Sequence, residues 1–178
     1  LQDRLNLHRR PSVKPVEVNN IHLTLKFLGN IEVNRVDAIA RAMEASVRGV
    51  TPFSLEIRDV GAFPNLKRVQ VVWVGLGGEV EKLVQLQQRL ESNLEPLGFT
   101  RETRAFTPHL TVARLRNQAS PDERERLGQL IASTKLDTPH AIKVEAVHLM
   151  RSQLTREGAI YSRISSVELS RPLSTAST

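Results

Sequence analysis

The sequence predicts an α+β fold with mainly antiparallel sheets. Segments that alternate apolar and polar residues are interspersed with segments of helical periodicity, and several predicted strands lie close enough along the chain to pair as hairpins. One strand motif also occurs twice: Ile21-His22-Leu23-Thr24-Leu25 recurs as Pro108-His109-Leu110-Thr111-Val112, so the two histidines are 87 positions apart (109 − 22). A helical segment follows each copy, and the repeat therefore predicts a pseudo-symmetric duplication with two lobes.

The first predicted elements are a strand and a helix. Ile21 to Phe27 alternates apolar and polar residues, as a half-buried strand does, and Gly29-Asn30 ends it. Apolar residues then recur at helical spacing, which predicts a helix over roughly Asn34 to Arg48.

The middle of the chain repeats this pattern with two strands. Phe53 to Ile57 alternates again, and Val69 to Leu76 is rich in aliphatic residues and contains Trp73. Gly77-Gly78 then breaks the strand pattern, and an amphipathic stripe from Val80 to Leu94 predicts the second helix, which Gly98 closes.

The last third begins with a short strand at Phe106 to Ala113, which has Pro108 near its start. Ser120-Pro121-Asp122-Glu123 has the spacing of a capping box with proline at the first helical position, so a third helix is predicted through about Ser133. Two closing strands, Ile142 to Met150 and Ile160 to Leu169, are separated by the polar Ser152 to Gly158 loop. The end of the chain, 170–178, is expected to be a loose tail.

Length and composition restrict the class of protein. A chain of 178 residues, 40% hydrophobic and 25% charged, fits one globular domain of two closely packed lobes over 1–178. No apolar run approaches the roughly 20 residues that span a bilayer, so no membrane partner is expected. The chain has no cysteine, which excludes disulfides, thiol nucleophiles and cysteine-based zinc sites and fits a cytoplasmic protein. A net charge of +6 favours an anionic partner such as nucleic acid or a phosphorylated metabolite.

The repeated motif places one imidazole and one hydroxyl on one face of each strand. Residues i and i+2 of a strand share a face, so His22 lies beside Thr24 and His109 beside Thr111. If the two lobes face each other, both imidazoles and both hydroxyls surround one small anion. One imidazole can then accept a proton while the other donates one near neutral pH, and the hydroxyls can hydrogen-bond phosphate oxygens.

Competing interpretations of these residues carry less weight. A single His-x-Thr on a strand is commonplace, and its repetition is what favours catalysis. A zinc site is disfavoured because neither copy has the H-E-x-x-H spacing, although a remote carboxylate could complete one. A serine-hydrolase triad is poorly supported, since no G-x-S-x-G sequence occurs.

Basic residues near the motifs are candidates for substrate contact, although a solvated side chain is the more common role for each. Lys26 is four residues beyond His22 and is expected on the same strand face. Arg114 is five beyond His109 and reaches that face only if the strand bulges or ends first. Arg68 lies beside the Phe63-Pro64-Asn65 turn.

The chain resembles the two-histidine phosphoesterases, specifically the RNA 2′,3′-cyclic phosphodiesterase family that also has the older name 2′-5′ RNA ligase. Asn20 to Gly29 resembles the first motif of the family and Phe106 to Arg114 the second. Further similar segments are Gly61 to Asn65 with Arg68-Val69, Trp73 to Gly75, and Leu149 to Ser152 with Gly158 to Tyr161. Together they cover roughly Val16 to Leu169.

The resemblance implies a bilobal fold with an antiparallel sheet in each lobe, helices outside and a catalytic cleft between the lobes. It implies hydrolysis of RNA 2′,3′-cyclic phosphate ends to 2′-phosphomonoesters without metal or other cofactor. On the matching positions, His22 is the proton donor to the departing 3′ oxygen, His109 is the base that activates water, and Thr24 and Thr111 contact the phosphate. Phe106 joins Lys26, Arg114 and Arg68 as an expected substrate contact. Relatives begin with a short apolar strand that has no counterpart in this sequence.

The sequence therefore predicts a cytoplasmic, monomeric enzyme that acts on RNA ends or nucleotides bearing a 2′,3′-cyclic phosphate. Symmetry of the motifs alone does not decide which histidine is acid and which is base. One alternative is a related two-histidine enzyme for small cyclic nucleotides or 2′-5′ linkages, including reversible RNA ligation. The other is a noncatalytic protein that binds RNA ends.

Overall fold

A computed structural model describes residues 1–136, 140–155 and 159–170. Its helices are α1 (Val36–Val47), α2 (Val80–Leu94) and α3 (Pro121–Ser133). Its strands are β1 (Val13–Pro15), β2 (Phe53–Phe63), β3 (Val71–Gly78), β4 (His109–Leu115), β5 (Ala141–Val144), β6 (Ala146–Leu154) and β7 (Ala159–Glu168). Short 3-10 turns lie at Leu7–Arg9, Val18–Asn20, Val33–Arg35 and Glu95–Leu97.

The strands form two sheets. The first has five strands in the order β1-β4-β3-β2-β5, and β4 is antiparallel to both of its neighbours. The second is the antiparallel pair β6-β7. Helices and mainly antiparallel strands in one chain confirm the predicted α+β class.

The chain divides into two compact units, each assembled from three segments. Unit 1 comprises Leu1–Thr24, Glu56–Gly78 and Thr107–Ala141, and unit 2 comprises Leu25–Leu55, Glu79–Phe106 and Ile142–Thr178. The boundary between them runs within β2 and within β5.

Unit 1 has its apolar core between the β4-β3-β2 part of the sheet, helix α3 and the N-terminal segment. Eleven buried residues form this core: Leu5, Leu7, Val13, Ala62, Val69, Val72, Val74, Val112, Ala113, Leu127 and Ile131. Because Leu5 and Leu7 are fully buried, the first ten residues are an integral part of this unit rather than a loose end.

Unit 2 is built on helix α1, which packs against α2 and against β6 and β7. Apolar positions on one face of each helix are buried here, among them Ile39 and Met43 of α1 and Leu83 and Leu86 of α2. The helical periodicity of the sequence located both helices correctly.

Helix ends follow the predicted local chemistry. The Ser120 hydroxyl accepts a hydrogen bond from the Glu123 N–H, and the Glu123 carboxylate accepts one from the Ser120 N–H at 2.7 Å, which completes the capping box at the start of α3. Gly98 follows the turn after α2 with φ of 84°, a left-handed conformation that favours glycine.

Three predicted strands differ from the structure. Ile21 to Phe27 forms only a single bridge, at Leu23, because the chain bends at Leu25 and leaves the sheet. Ile142 to Met150 is two strands rather than one, interrupted at Glu145. The predicted strand at Phe106 begins at His109, since Pro108 before it has no N–H to donate.

Some expectations lie wholly or partly outside the described residues. These are most of the 170–178 tail and the end of the Ser152 to Gly158 loop, whose first residues continue β6. Among the described helices, none combines the length and the apolar character needed to cross a bilayer.

Candidate active site

The two His-x-Thr motifs meet in an antiparallel arrangement within unit 1. Leu23 pairs with Leu110 across a single antiparallel bridge. In this register His22 lies across from Thr111 and Thr24 across from His109, and all four side chains project to the face opposite the two leucines. Directly opposed residues have Cβ atoms about 5 Å apart, so both imidazoles and both hydroxyls can border one small anion.

Both motifs therefore belong to one unit, which differs from the expectation of one motif in each lobe. Leu1–Thr24 and Thr107–Ala141 lie in unit 1, so the chain joins the motifs by strand pairing within this unit. The sequence repeat predicted which four side chains lie together. It did not show that the two motifs pair directly with each other.

Both imidazoles are held by the same backbone contact. Nδ1 of His22 donates a hydrogen bond to the carbonyl oxygen of Asn20 at 2.7 Å, and Nδ1 of His109 donates to the carbonyl oxygen of Thr107 at 2.6 Å. A carbonyl oxygen can only accept, so Nδ1 carries a proton in each ring. Nε2 is therefore the nitrogen of each ring that is left to gain or lose a proton.

The surroundings of the two rings differ. His22 is exposed, whereas His109 is half-buried against aromatic side chains. The Phe63 ring lies edge-to-face with His109 at a centroid distance of 4.9 Å, and Trp73 lies 6.2 Å from His109. Packing of this kind restrains the orientation of the His109 ring. Phe63 and Trp73 were not singled out from the sequence as site residues, although both lie in segments that resemble the family.

A β-bulge brings Arg114 to the face of the histidine. Gly75, Trp73 and Val71 of β3 share one face and pair with His109, Thr111 and Arg114 respectively. The register shifts between Val72 and Trp73, so β4 has one extra residue at that point. From the sequence, Arg114 was expected to reach the face of His109 only if the strand bulged or ended first. The structure has this bulge.

Lys14 of β1 is directly opposite Arg114. Residues directly opposite each other share a sheet face, so both cations lie on the face of His109 and Thr111. Lys14 was not singled out from the sequence, because three residues of extended chain beside Pro15 give no sign of which strand they will join.

Lys26 has a different environment from the one its spacing suggested. Its ammonium forms an ion pair with Glu91 at 2.5 Å and donates to the carbonyl oxygen of Thr100 at 2.8 Å, all within unit 2. Only 9% of either charged side chain is exposed. The bend at Leu25 breaks the strand alternation on which the expected face of Lys26 depended.

Arg68 and Phe106 are the remaining residues that were expected from the sequence to contact the substrate. Arg68 is exposed, and its N–H donates to the Asn65 side-chain oxygen at 3.0 Å in a turn. Phe106 is half-buried and is the last residue of its segment of unit 2.

Two further observations describe the rest of the unit. The cavity of about 610 Å³ lined by Val74, Leu110 and Val112 lies against the other face of the sheet, away from His22 and His109. Within the described ranges, no three or more side chains of histidine, cysteine, aspartate or glutamate are grouped so that they could hold a metal ion.

Comparison with known proteins decides the family. The sequence model of the 2′-5′ RNA ligase superfamily matches residues 3–156, which contain both motifs. The chain belongs to the 2′-5′ RNA ligase superfamily. The resemblance inferred from the two motifs is thereby confirmed.

Curated relatives in this superfamily have one name in common. A protein of Methanothermobacter thermautotrophicus named RNA 2′,3′-cyclic phosphodiesterase is 37% identical over 150 residues, which cover 84% of this chain and 79% of the relative. A protein of Aeropyrum pernix with the same name is 32% identical over 161 residues, covering 90% and 89%.

Solved structures support the fold of this superfamily member. A crystal structure of a Thermus thermophilus protein has a TM-score of 0.76 at 23% identity and covers 97% of this chain and 90% of its own. Escherichia coli LigT, crystallised with 3′-AMP, has a TM-score of 0.68 at 23% identity, covering 96% and 94%. At this identity the likeness concerns the fold alone.

Proposed function

We propose that the protein hydrolyses RNA 2′,3′-cyclic phosphate ends to 2′-phosphomonoesters, without a metal, by acid-base catalysis from two histidines. The observation that carries the proposal is the Leu23–Leu110 bridge, which puts His22, Thr24, His109 and Thr111 on one face of one sheet. The family and the shared name of the curated relatives support the choice of substrate.

The proposed reaction needs one proton acceptor and one proton donor. Nε2 of His109 accepts a proton from water as the water oxygen attacks phosphorus, and Nε2 of His22 donates a proton to the 3′ oxygen. The P–O3′ bond breaks, the new P–O bond forms, and the product retains phosphate on the 2′ oxygen. The Nδ1–H to carbonyl contact leaves Nε2 of each ring for this exchange, with His109 neutral and His22 protonated on both nitrogens at the start.

Hydroxyls and cations stabilise the phosphate in this scheme. Thr24 and Thr111 donate hydrogen bonds to the non-bridging oxygens as negative charge develops on them. Arg114 and Lys14 lie further along the same face, roughly 10 Å of strand beyond Thr111 at most, and are proposed to attract the RNA backbone. Lys26 is omitted from this scheme because Glu91 and Thr100 hold its ammonium.

The test is product mapping with a defined oligoribonucleotide that has a 2′,3′-cyclic end, in buffer containing chelator. The expected product is the 2′-phosphate, formed at the same rate with and without chelator, and lost in His22→Ala and His109→Ala. His8→Ala is the matched control, since His8 is an exposed histidine in the Leu7–Arg9 turn outside the proposed site.

The same assay separates the alternatives. Tight binding of the cyclic end without turnover would identify an RNA-end binder, and equal turnover of cyclic mononucleotides would identify a small-nucleotide enzyme. Joining of a 2′,3′-cyclic end to a 5′-hydroxyl end would reveal ligation, in which the 5′-hydroxyl replaces water as the nucleophile, loses its proton to His109 and forms a 2′-5′ linkage as the P–O3′ bond breaks.

A further inference from the structure

Phe63 and Trp73 form an aromatic surface beside His109. This surface lies on the face of the unit 1 sheet that carries His109 and Thr111, the site face. The Phe63 and Trp73 rings are 5.2 Å apart, and each is within 6.2 Å of the His109 ring. The proposed mechanism uses neither ring. A flat group attached to a phosphate at His109 could therefore reach this surface without disturbing the four catalytic side chains.

The indole of Trp73 is positioned by a glycine on the neighbouring strand. A Cβ atom at Gly61 would lie 2.3 Å from Cζ2 of Trp73, a distance that real Cβ contacts essentially never show. Gly61 thus leaves the space in which the ring lies across β2. Any larger residue at this position would displace the indole.

An open cavity of about 590 Å³ adjoins this ring. Its walls include Val60, Gly61, Asn65, Leu66, Lys67 and Trp73. The volume is within the range of small-ligand sites, and the lining combines apolar surface with a few polar groups, as such sites do.

The polar groups at this cavity are donors. Nε1 of Trp73 is buried and has no hydrogen-bond partner within the part of the chain that the structure describes. The side-chain oxygen of Asn65 accepts from the N–H groups of Lys67 and Arg68, so the Asn65 side chain offers its amide hydrogens. Lys67 is an exposed cation. A ligand that presents acceptors would pair with the exposed Asn65 amide and Lys67 ammonium.

We propose that this cavity binds the base of the terminal nucleotide, stacked on Trp73, with its acceptor-bearing edge toward Asn65 and Lys67. The inference rests on the proposed function, which brings the cyclic phosphate of that nucleotide to His109. Guanine presents two adjacent acceptors, N7 and O6, whereas adenine presents N7 beside an amino donor. The site therefore favours guanosine over adenosine at the RNA end.

Trp73 is the sole tryptophan of the chain, so its fluorescence reports on this cavity. The experiment titrates the full chain with guanosine 2′-monophosphate, adenosine 2′-monophosphate, ribose phosphate without a base, and inorganic phosphate. Both nucleotides are expected to change the emission, the guanosine compound at a several-fold lower concentration, and the two base-free compounds are expected to leave it unchanged. Equal affinity for base-free and nucleotide compounds with unchanged emission would overturn the proposal.

Two variants test the proposal separately, so that a folding defect in one of them leaves the other informative. Lys67→Gln is expected to reduce the guanosine preference several-fold, with kcat on cyclic-ended RNA retained and KM raised. Gly61→Ala is expected to remove the emission change on binding. Arg126→Gln, which removes the same charge from helix α3, is the control. An unaltered guanosine preference in Lys67→Gln would contradict the assignment.

Failure of the two proposals would look different. Turnover of cyclic-ended RNA with no response of Trp73 to nucleotides would refute the base site alone. A nucleotide-specific response without turnover would support the base site and refute the hydrolytic function.

Discussion

Leu23 and Leu110 are paired across one antiparallel bridge, and this contact arranges both histidines. Because neighbours on either side of an antiparallel pair face each other, each histidine lies across from the threonine of the other motif. The leucines point away from this face, and Leu110 packs against the core of unit 1. The apolar half of each motif thus anchors the polar half.

Removal of either imidazole should abolish most of the activity. His22→Ala or His109→Ala is expected to lower kcat about 10²- to 10⁴-fold, because each variant loses one proton-transfer group. Thr24→Ala and Thr111→Ala should lose less, since each removes one hydrogen bond to phosphate. The measurement is single-turnover kinetics on cyclic-ended RNA, with circular dichroism to show that the variants fold.

The same mechanism predicts a bell-shaped dependence of rate on pH. One histidine must be neutral and the other protonated at the start of the reaction, so the rate should fall on both the acidic and the alkaline side. A rate that rises steadily with pH across the neutral range would contradict the paired-histidine mechanism.

Neutral replacement of the cationic pair should weaken RNA binding. Lys14→Met and Arg114→Met are each expected to raise KM for cyclic-ended RNA more than they lower kcat, because a backbone contact is similar in ground and transition states. Each should also reduce the slope of log affinity against log salt by about 0.7, the value for one phosphate contact on a single strand. Arg126→Gln is the control. An unchanged salt slope in both variants would contradict the proposed contact with the RNA backbone.

The sequence predicted which polar side chains lie together better than how the backbone brings them together. Repetition of His-x-Thr and alternation along each strand identified the four polar side chains and the face they share. Alternation says nothing about which strands pair, so the joining of both motifs within unit 1 was not predictable from it.

Local deviations of the backbone decide on which face two of the basic residues lie. Consecutive buried residues Val112 and Ala113 mark the bulge in β4, and this break in alternation moves Arg114 to the site face. The bend at Leu25 has the opposite consequence for Lys26, whose partner Glu91 is 65 residues away in sequence. Contacts at such separation depend on tertiary packing rather than on local spacing.

The ion pair between Lys26 and Glu91 should matter for stability rather than for substrate affinity. Lys26→Met leaves the Glu91 carboxylate buried without its cation, a change that costs about 3–5 kcal/mol. For a chain of this length we expect Tm to fall by roughly 10 °C. KM of the folded variant should remain near the wild-type value.

A double variant separates loss of the pair from burial of one charge. Lys26→Met with Glu91→Gln removes both charges and keeps an oxygen that can accept from Gln87 Nε2, as Glu91 does at 3.1 Å. Its free energy of unfolding should recover much of the loss, as measured by urea denaturation. A large rise in KM at full stability in Lys26→Met would instead support the original expectation of a phosphate contact.

Because of the capping box at the start of α3, the free energy of unfolding should decrease at acid pH. The Ser120 N–H, hydrogen-bonded to the Glu123 carboxylate, is the main cause that lowers the pKa of Glu123 below its ordinary value of 4.5. A carboxyl whose pKa is lower in the folded state stabilises the fold above its unfolded pKa, and this contribution is lost as the pH falls through the folded pKa.

Replacement of Glu123 by glutamine isolates this titration, because Glu123→Gln keeps an acceptor for the cap but has no ionisable group. Wild type should be more stable than Glu123→Gln at pH 7, and their difference in unfolding free energy should shrink as the pH falls below about 4.5. Urea denaturation across this range measures the difference. Glu125→Gln, which changes a carboxylate on the same helix outside the cap, supplies the control, and a Glu123→Gln difference that stays constant down to the acid limit would contradict the role of the cap.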